Sequence, residues 1–99
     1  MEIRKTKNDD TLTLELSGRL DTTTAPQLEK TLKTDISDVK SLEFDFAKLD
    51  YISSAGLRVL LAAQKVMNRQ GKMTIRSVNE TIMEVFEVTG FVDILTIEA

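Results

Sequence analysis

Ser53 and Ser54 stand together where one apolar segment gives way to another, in the stretch YISSAGLRVLLAAQKV that begins at Tyr51. Two hydroxyls, an alanine and a glycine at such a seam have two uses. A serine at the entrance of a helix accepts an orphan backbone N–H and caps it, a contribution of about 1 kcal/mol. A serine in the first turn also displays its hydroxyl where outward-pointing N–H groups and the helix dipole favour an anion, so a phosphate attached there is tolerated. Arg58, four residues beyond Ser54, lies within reach of such a group. A phosphoserine would still add about −1.5 to −2 charges to a surface holding Asp50 and, if the chain brings it close, Asp21. From spacing alone, capping is the simpler reading and modification the sharper one.

Catalysis by either serine is poorly supported. A nucleophilic serine needs a general base, the chain has no histidine, and no lysine or carboxylate is set beside the serines by spacing. Gly18, Gly56, Gly71 and Gly90 stand singly, and Gly56-Leu57-Arg58 is not the lysine–serine ending of a nucleotide loop. The expectation is a protein that is not an enzyme and carries no cofactor. The absence of cysteine excludes disulfides and thiol chemistry, and the absence of both cysteine and histidine excludes the usual zinc sites. Thirteen basic against 16 acidic side chains, net −3, leave no basic footprint, so direct nucleic-acid contact is not expected. No stretch approaches the length of a membrane span. The N-terminal MEIRKTKNDD has no signal-like apolar core, and the expected location is the cytoplasm.

The elements that must position the serines are legible. Leu12, Leu14 and Leu16 alternate with Thr11, Thr13 and Glu15, a half-buried strand ending at Ser17-Gly18. Asn8-Asp9-Asp10 is a turn candidate that makes Glu2 to Lys7 its hairpin partner. A helix begins near Thr24, with Thr24 and Gln27 at capping-box spacing, Pro26 in the first turn, and Ala25, Leu28 and Leu32 on one side. Leu42, Phe44 and Phe46 alternate in a second strand, and Met73 and Ile75 mark a third. Asn79 can cap a helix whose Ile82, Val85 and Phe86 face inward, with Val78 and Met83 at staple positions and Gly90 as its stop. Ile94 to Ile97 is a short strand or irregular. Strands alternating with helices indicate one layered α/β domain over residues 1–99.

On the central helix, a 100° wheel puts Ala55, Gly56, Val59, Leu60, Ala63, Val66 and Met67 on one broad side. The small Gly56 and Ala63 let the backbone approach the sheet. Lys65, Arg58 and Arg69 fall opposite, with Ser54. Leu57 and Leu61 flank the Ser54 direction on the polar side. They are either scattered exposed leucines or a small apolar patch beside a reactive serine.

SGRLDTTTAPQLEKTL, LDYISSAGLRVLLAAQKV and VNETIMEVFEVTGFVDIL resemble, in order, the three signature regions of STAS domains of the anti-sigma factor antagonist family. The resemblance implies a small mixed sheet of about four or five strands packed against about four helices. It also implies a partner switch. The unphosphorylated form binds an anti-sigma factor that is itself a serine kinase of the histidine-kinase-like ATPase fold, and so frees the sigma factor. Phosphorylation breaks the complex, and a metal-dependent serine phosphatase resets it. By this resemblance Ser54 is the phosphorylated residue, with Ser53 the second choice. Asp21, Thr22, Thr23, Ser53, Gly56, Leu57, Arg58 and Leu61 form the loop and partner-binding surface. Ser53 occupies the family's aspartate position, Ala55 its second-hydroxyl position, and Arg19 the place of a usual acidic residue. Gly18 and Asp21 match the first region; Thr89, Gly90 and Asp93 match the third, with Phe91 in place of leucine. The alternative within the family is a non-enzymatic accessory or scaffold subunit of a signalling assembly or lipid-transport ATPase complex, which the fold alone cannot separate.

Overall fold

The alternation of Leu12, Leu14 and Leu16 with polar residues makes a strand that must bury one face, and its neighbours repeat the pattern in register. In the computed structural model, which describes residues 1–98, β1 (Glu2–Asn8) and β2 (Thr11–Leu20) form an antiparallel hairpin. β3 (Ser41–Ile52), β4 (Lys72–Arg76) and β5 (Ile97–Glu98) follow β2 in parallel, giving a five-stranded mixed sheet in the order β1-β2-β3-β4-β5. Leu12, Leu42 and Met73 lie side by side across the sheet, as do Leu14, Phe44 and Ile75. All six are sealed from solvent. α1 (Ala25–Asp35), α2 (Ser54–Gln70) and α3 (Glu80–Thr89) are the crossovers between successive parallel strands. Right-handed crossovers taken in one direction leave the helices on one face. The other face shows Thr13, Glu15, Glu43, Asp45 and Thr74, half-buried, and carries the Glu43–Arg76 ion pair at 3.2 Å.

The strands are longer than their alternation suggests, because β2 and β3 continue past irregular positions. β2 does not end at Ser17-Gly18. Gly18 adopts φ 95°, a conformation that side-chain-bearing residues rarely take, and the strand runs on to Leu20. The pairing shifts twice, from Glu15↔Asp45 to Ser17↔Lys48 and from Gly18↔Leu49 to Arg19↔Tyr51, so β3 carries an extra residue at each step. Asp45 supports the first bulge by accepting the Ala47 N–H at 2.9 Å. Asp50 is the extra residue of the second.

The helix starts also differ from simple capping rules. Thr24 is the residue before α1, yet its hydroxyl makes no cap bond and the Thr24–Gln27 capping box is not formed. That hydroxyl instead donates to the Arg19 carbonyl at 2.7 Å and accepts the Asp21 N–H at 2.8 Å. Asn79 does cap α3, accepting the Ile82 N–H at 2.8 Å, and also donates to the Leu49 carbonyl at 2.9 Å, tying α3 to β3. α3 ends at Gly90 in the left-handed region. There are three α-helices and one 3-10 turn, Phe91–Asp93, among the described residues. No helix among them is long and apolar enough to cross a membrane.

α2 overturns one expectation. Gly56, Val59, Leu60, Ala63 and Met67 are buried as the wheel indicates, and Arg58, Lys65 and Arg69 are exposed. Leu57, however, is only 6% exposed and belongs to the core, not to a surface patch. Leu61 is half-buried. Val59, Ala62, Ala63 and Val66 face α1; Leu57 and the buried Gln64 lie on the flank directed away from it, which is also closed. Gln64 satisfies its amide nitrogen on Asn68 at 2.8 Å. Replacing Leu57 by alanine should therefore cost about 2–5 kcal/mol of stability. Urea denaturation of the variant checks this; a loss below about 0.5 kcal/mol is what a surface position would show.

Candidate functional site

The site is built where β2 and β3 end side by side. Leu20 pairs with Ile52, and the Ser53 N–H donates to the Leu20 carbonyl at 2.9 Å. The two βα turns, 21–24 and 53–54, are thereby neighbours at the carboxyl ends of parallel strands, the rim where open α/β sheets present their binding groups.

Asp21 organises the first turn. Its Oδ1 accepts the Thr23 N–H at 3.0 Å, the Thr23 hydroxyl at 2.8 Å and the Thr24 N–H at 3.2 Å. Its carbonyl accepts the Thr24 and Ala25 N–H groups at 3.2 and 2.8 Å. These bonds favour the ionised form, the Thr23 hydroxyl foremost, and hold the Asp21 carboxyl below its ordinary value of 3.8. Thr22 and Thr23 are exposed at the tip.

At the second turn, Ser53 is the residue before α2, extended at φ −102° and ψ 176°, and its carbonyl accepts the Leu57 N–H at 3.0 Å. Its hydroxyl makes no cap bond; the oxygen is closed off from solvent without a hydrogen-bond partner among the described residues. Ser54 is the first helical residue and is exposed. No acidic side chain occupies the first turn of α2. Gly56 explains why the second serine stays at the surface while the helix sits tight below it. A Cβ on Gly56 would come within 2.7 Å of Leu20 Cγ and 2.9 Å of Ile52 Cγ1, so only glycine lets α2 approach the strand ends this closely. Arg58 is exposed and forms no ion pair among the described residues. With Thr22, Ala25, Pro26, Glu29, Ala55 and Val59 it lines an open cleft of 220 Å³ between the starts of α1 and α2.

Of the residues singled out in the sequence, Asp21, Thr22, Thr23, Ser53, Ser54, Gly56 and Arg58 occupy this one rim. Leu61 is further along α2, and Leu57 is beneath the surface. Thr89-Gly90 closes the opposite end of α3 and serves the fold. Two residues escaped sequence reasoning as a pair. The Arg19 guanidinium stacks over the Tyr51 ring, 4.2 Å from its centroid, with Nε 3.7 Å from Asp21 Oδ2. The bulge at Asp50 puts these two opposite each other, and no spacing rule reveals it. Among the described residues no group of acidic side chains could hold a metal ion.

With this geometry in view, the similarities of the chain are specific. The STAS domain family model matches residues 2–99. A candidate anti-sigma factor antagonist, BtrV of Bordetella bronchiseptica, is 35% identical over 98% of this chain and 85% of its own length. The anti-sigma-B factor antagonist of Bacillus subtilis is 25% identical over 100% of this chain and 90% of its own. Among solved structures, the anti-sigma factor antagonist SpoIIAA in its unphosphorylated form superposes with a TM-score of 0.78 at 18% identity, covering 99% of this chain and 88% of that one. The phosphorylated form of SpoIIAA from Bacillus gives 0.77 at 19%, covering 99% and 92%. The small α/β domain with its serine-bearing rim belongs to the STAS domain family. The two relatives named above are described as a candidate anti-sigma factor antagonist and an anti-sigma-B factor antagonist.

The Asp21 network carries a pH signature. A carboxyl with a lowered folded-state value stabilises the fold fully above its ordinary 3.8 and loses that stabilisation as pH falls through the lower value. Asp38, lowered by its hydrogen bond from the Lys7 ammonium, has the same sign. Asp21→Asn keeps an acceptor for Thr23 but removes the charge. Thermal midpoints measured down an acid series should fall less steeply below 3.8 for this variant than for the parent. Parallel curves would place the acid sensitivity elsewhere.

Proposed function

We propose that this chain is an anti-sigma factor antagonist whose binding is switched at Ser54. The observation that carries the reading is the exposed Ser54 hydroxyl at the first position of α2, on the rim shared with the Asp21 turn. Unphosphorylated, the rim and the adjoining surface of α2 bind an anti-sigma factor that is also a serine kinase of the histidine-kinase-like ATPase fold, and the sigma factor is released. The kinase transfers a phosphoryl group from ATP to Ser54, the complex separates, and a metal-dependent serine phosphatase restores the hydroxyl. The chain is ligand and substrate in this cycle, not catalyst, and it acts in the cytoplasm. SpoIIAA, which shares the fold, exists in phosphorylated and unphosphorylated forms.

The geometry supports Ser54 over Ser53. The Ser53 oxygen has no exposed surface, whereas Ser54 is open to an incoming kinase. The same geometry supports release. A phosphate at Ser54 is tolerated by the free chain, because the α2 N-terminus offers N–H groups and favourable dipole charge. In a closed interface it becomes a buried charge without a partner, which is costly. Thr22 and Arg58 line the cleft beside it, Thr23 is exposed next to Thr22, and the three complete the contact surface. Gly56 sets the height of α2, and Leu57 supports the surface from below. Leu61, half-buried, stands at the edge of the footprint.

Incubation with ATP and the kinase purified through its activity on this chain, followed by phosphopeptide mapping, should find phosphate at Ser54. Ser54→Ala should bind the kinase as the parent does and accept no phosphate; Ser54→Asp should bind at least about tenfold more weakly, about 1.4 kcal/mol. Phosphate found only at another residue overturns the assignment. A pull-down that recovers transport ATPase subunits, with no release on adding ATP, replaces the reading with an accessory-subunit role.

A further inference from the structure

The rim has a second side. Leu20 and Ile52 point into the helix layer, where they meet Gly56. Their neighbours Arg19 and Tyr51 therefore point to the opposite, helix-free face of the sheet. The Asp50 bulge in β3 brings them face to face across the strand pair. Without that extra residue Arg19 would oppose Asp50, and no aromatic ring would lie under the guanidinium. Bulges at strand ends re-aim side chains in this way.

The pair is built and yet open. The Arg19 side chain is 62% exposed although it is held by the Tyr51 ring below and Asp21 beside it. Asp21 is in turn fixed by Thr23 and Thr24. The Arg19 guanidinium donates no hydrogen bond within the described chain: its nearest carboxylate oxygen is 3.7 Å from Nε. A side chain as mobile as arginine usually loses much freedom when it docks; one already stacked has lost part of it. What remains is a planar fork of N–H donors presented at the surface, which a carboxylate or a phosphate matches with two parallel bonds; on a protein partner the carboxylate is the ordinary side-chain group of this kind. Net charge −3 argues against a nucleic-acid phosphate as the occupant.

We propose that Arg19, planted on Tyr51, is a specificity-determining residue that reads an acidic side chain of the partner kinase, so that the kinase laps over the strand ends onto the helix-free face. Tyr51 acts through Arg19 as its positioning residue. The proposal rests on the kinase-binding reading above and extends its footprint beyond α2.

Tyr51 is the only tyrosine, so 3-fluorotyrosine labelling gives a single 19F resonance at the site. The kinase is the one purified through its activity on Ser54, held in ADP so that no phosphate is transferred. Arg19→Ala should shift the resonance of the free chain, reporting loss of the stack. Kinase binding should shift or broaden the parent resonance. Arg19→Glu should weaken kinase binding at least about tenfold, with a smaller loss for Arg19→Lys, which keeps the charge but not the planar fork. Thermal midpoints should stay within a few degrees of the parent throughout, as for surface substitutions. An unmoved resonance on complex formation, with Arg19→Glu binding within about twofold, overturns the proposal. Ser54→Asp is measured alongside. If it weakens binding while Arg19→Glu does not, only the Arg19 assignment falls. If neither does, the kinase-binding reading falls and takes this proposal with it.

Discussion

The hydrogen bond from the Ser53 N–H to the Leu20 carbonyl, 2.9 Å long, joins the last turn of one parallel strand to the last turn of the next. Everything at the rim depends on that closure. It brings the Asp21 turn and the α2 entrance together although they are far apart in sequence. It also dictates that α2 starts directly above Leu20 and Ile52, where any side chain larger than hydrogen at position 56 collides. The glycine of the seam answers to packing, and the exposed serine two residues earlier is what that packing leaves at the surface.

The two serines that look equivalent in the chain have become different groups. Ser53 has spent its backbone on the strand junction, with its N–H on Leu20 and its carbonyl on Leu57. Its hydroxyl is left shut in and unpaired among the described residues, an arrangement that costs about 1–3 kcal/mol when nothing compensates. Ser54 has the opposite character: a helical backbone, an open hydroxyl and no acidic neighbour in its turn. The aspartate that family resemblance leads one to expect at position 53 is a serine here, and Asp21 on the adjacent turn orders that turn alone, satisfying three donors of Thr23 and Thr24 with one oxygen.

Charge is distributed across the rim rather than concentrated in it. Asp21 is committed to Thr23 and Thr24 and lies 3.7 Å from Arg19. Arg58 stands across the cleft from Thr22 with no ion-pair partner among the described residues. Local bonds of this kind keep the surface ordered at little net charge. A phosphate on such a surface would add about −1.5 to −2 charges.

The sequence by itself determined the sheet-forming alternation at Leu12–Leu16 and Leu42–Phe46, the hairpin before it, the Asn79 cap, the Gly90 stop and the serine seam. Each is set by residues within a few positions of one another, and local periodicity and turn chemistry suffice to read them. The tertiary structure alone decided the rest. Leu57 went into the core because both flanks of α2 are covered, and a helical wheel knows only one direction of burial. Thr24 abandoned its capping box because Arg19 and Asp21 offered its hydroxyl two partners. Arg19 met Tyr51 because two bulges shifted the β2–β3 register, and register between strands separated by a helix is fixed by packing across the whole sheet, not by any neighbour in the chain.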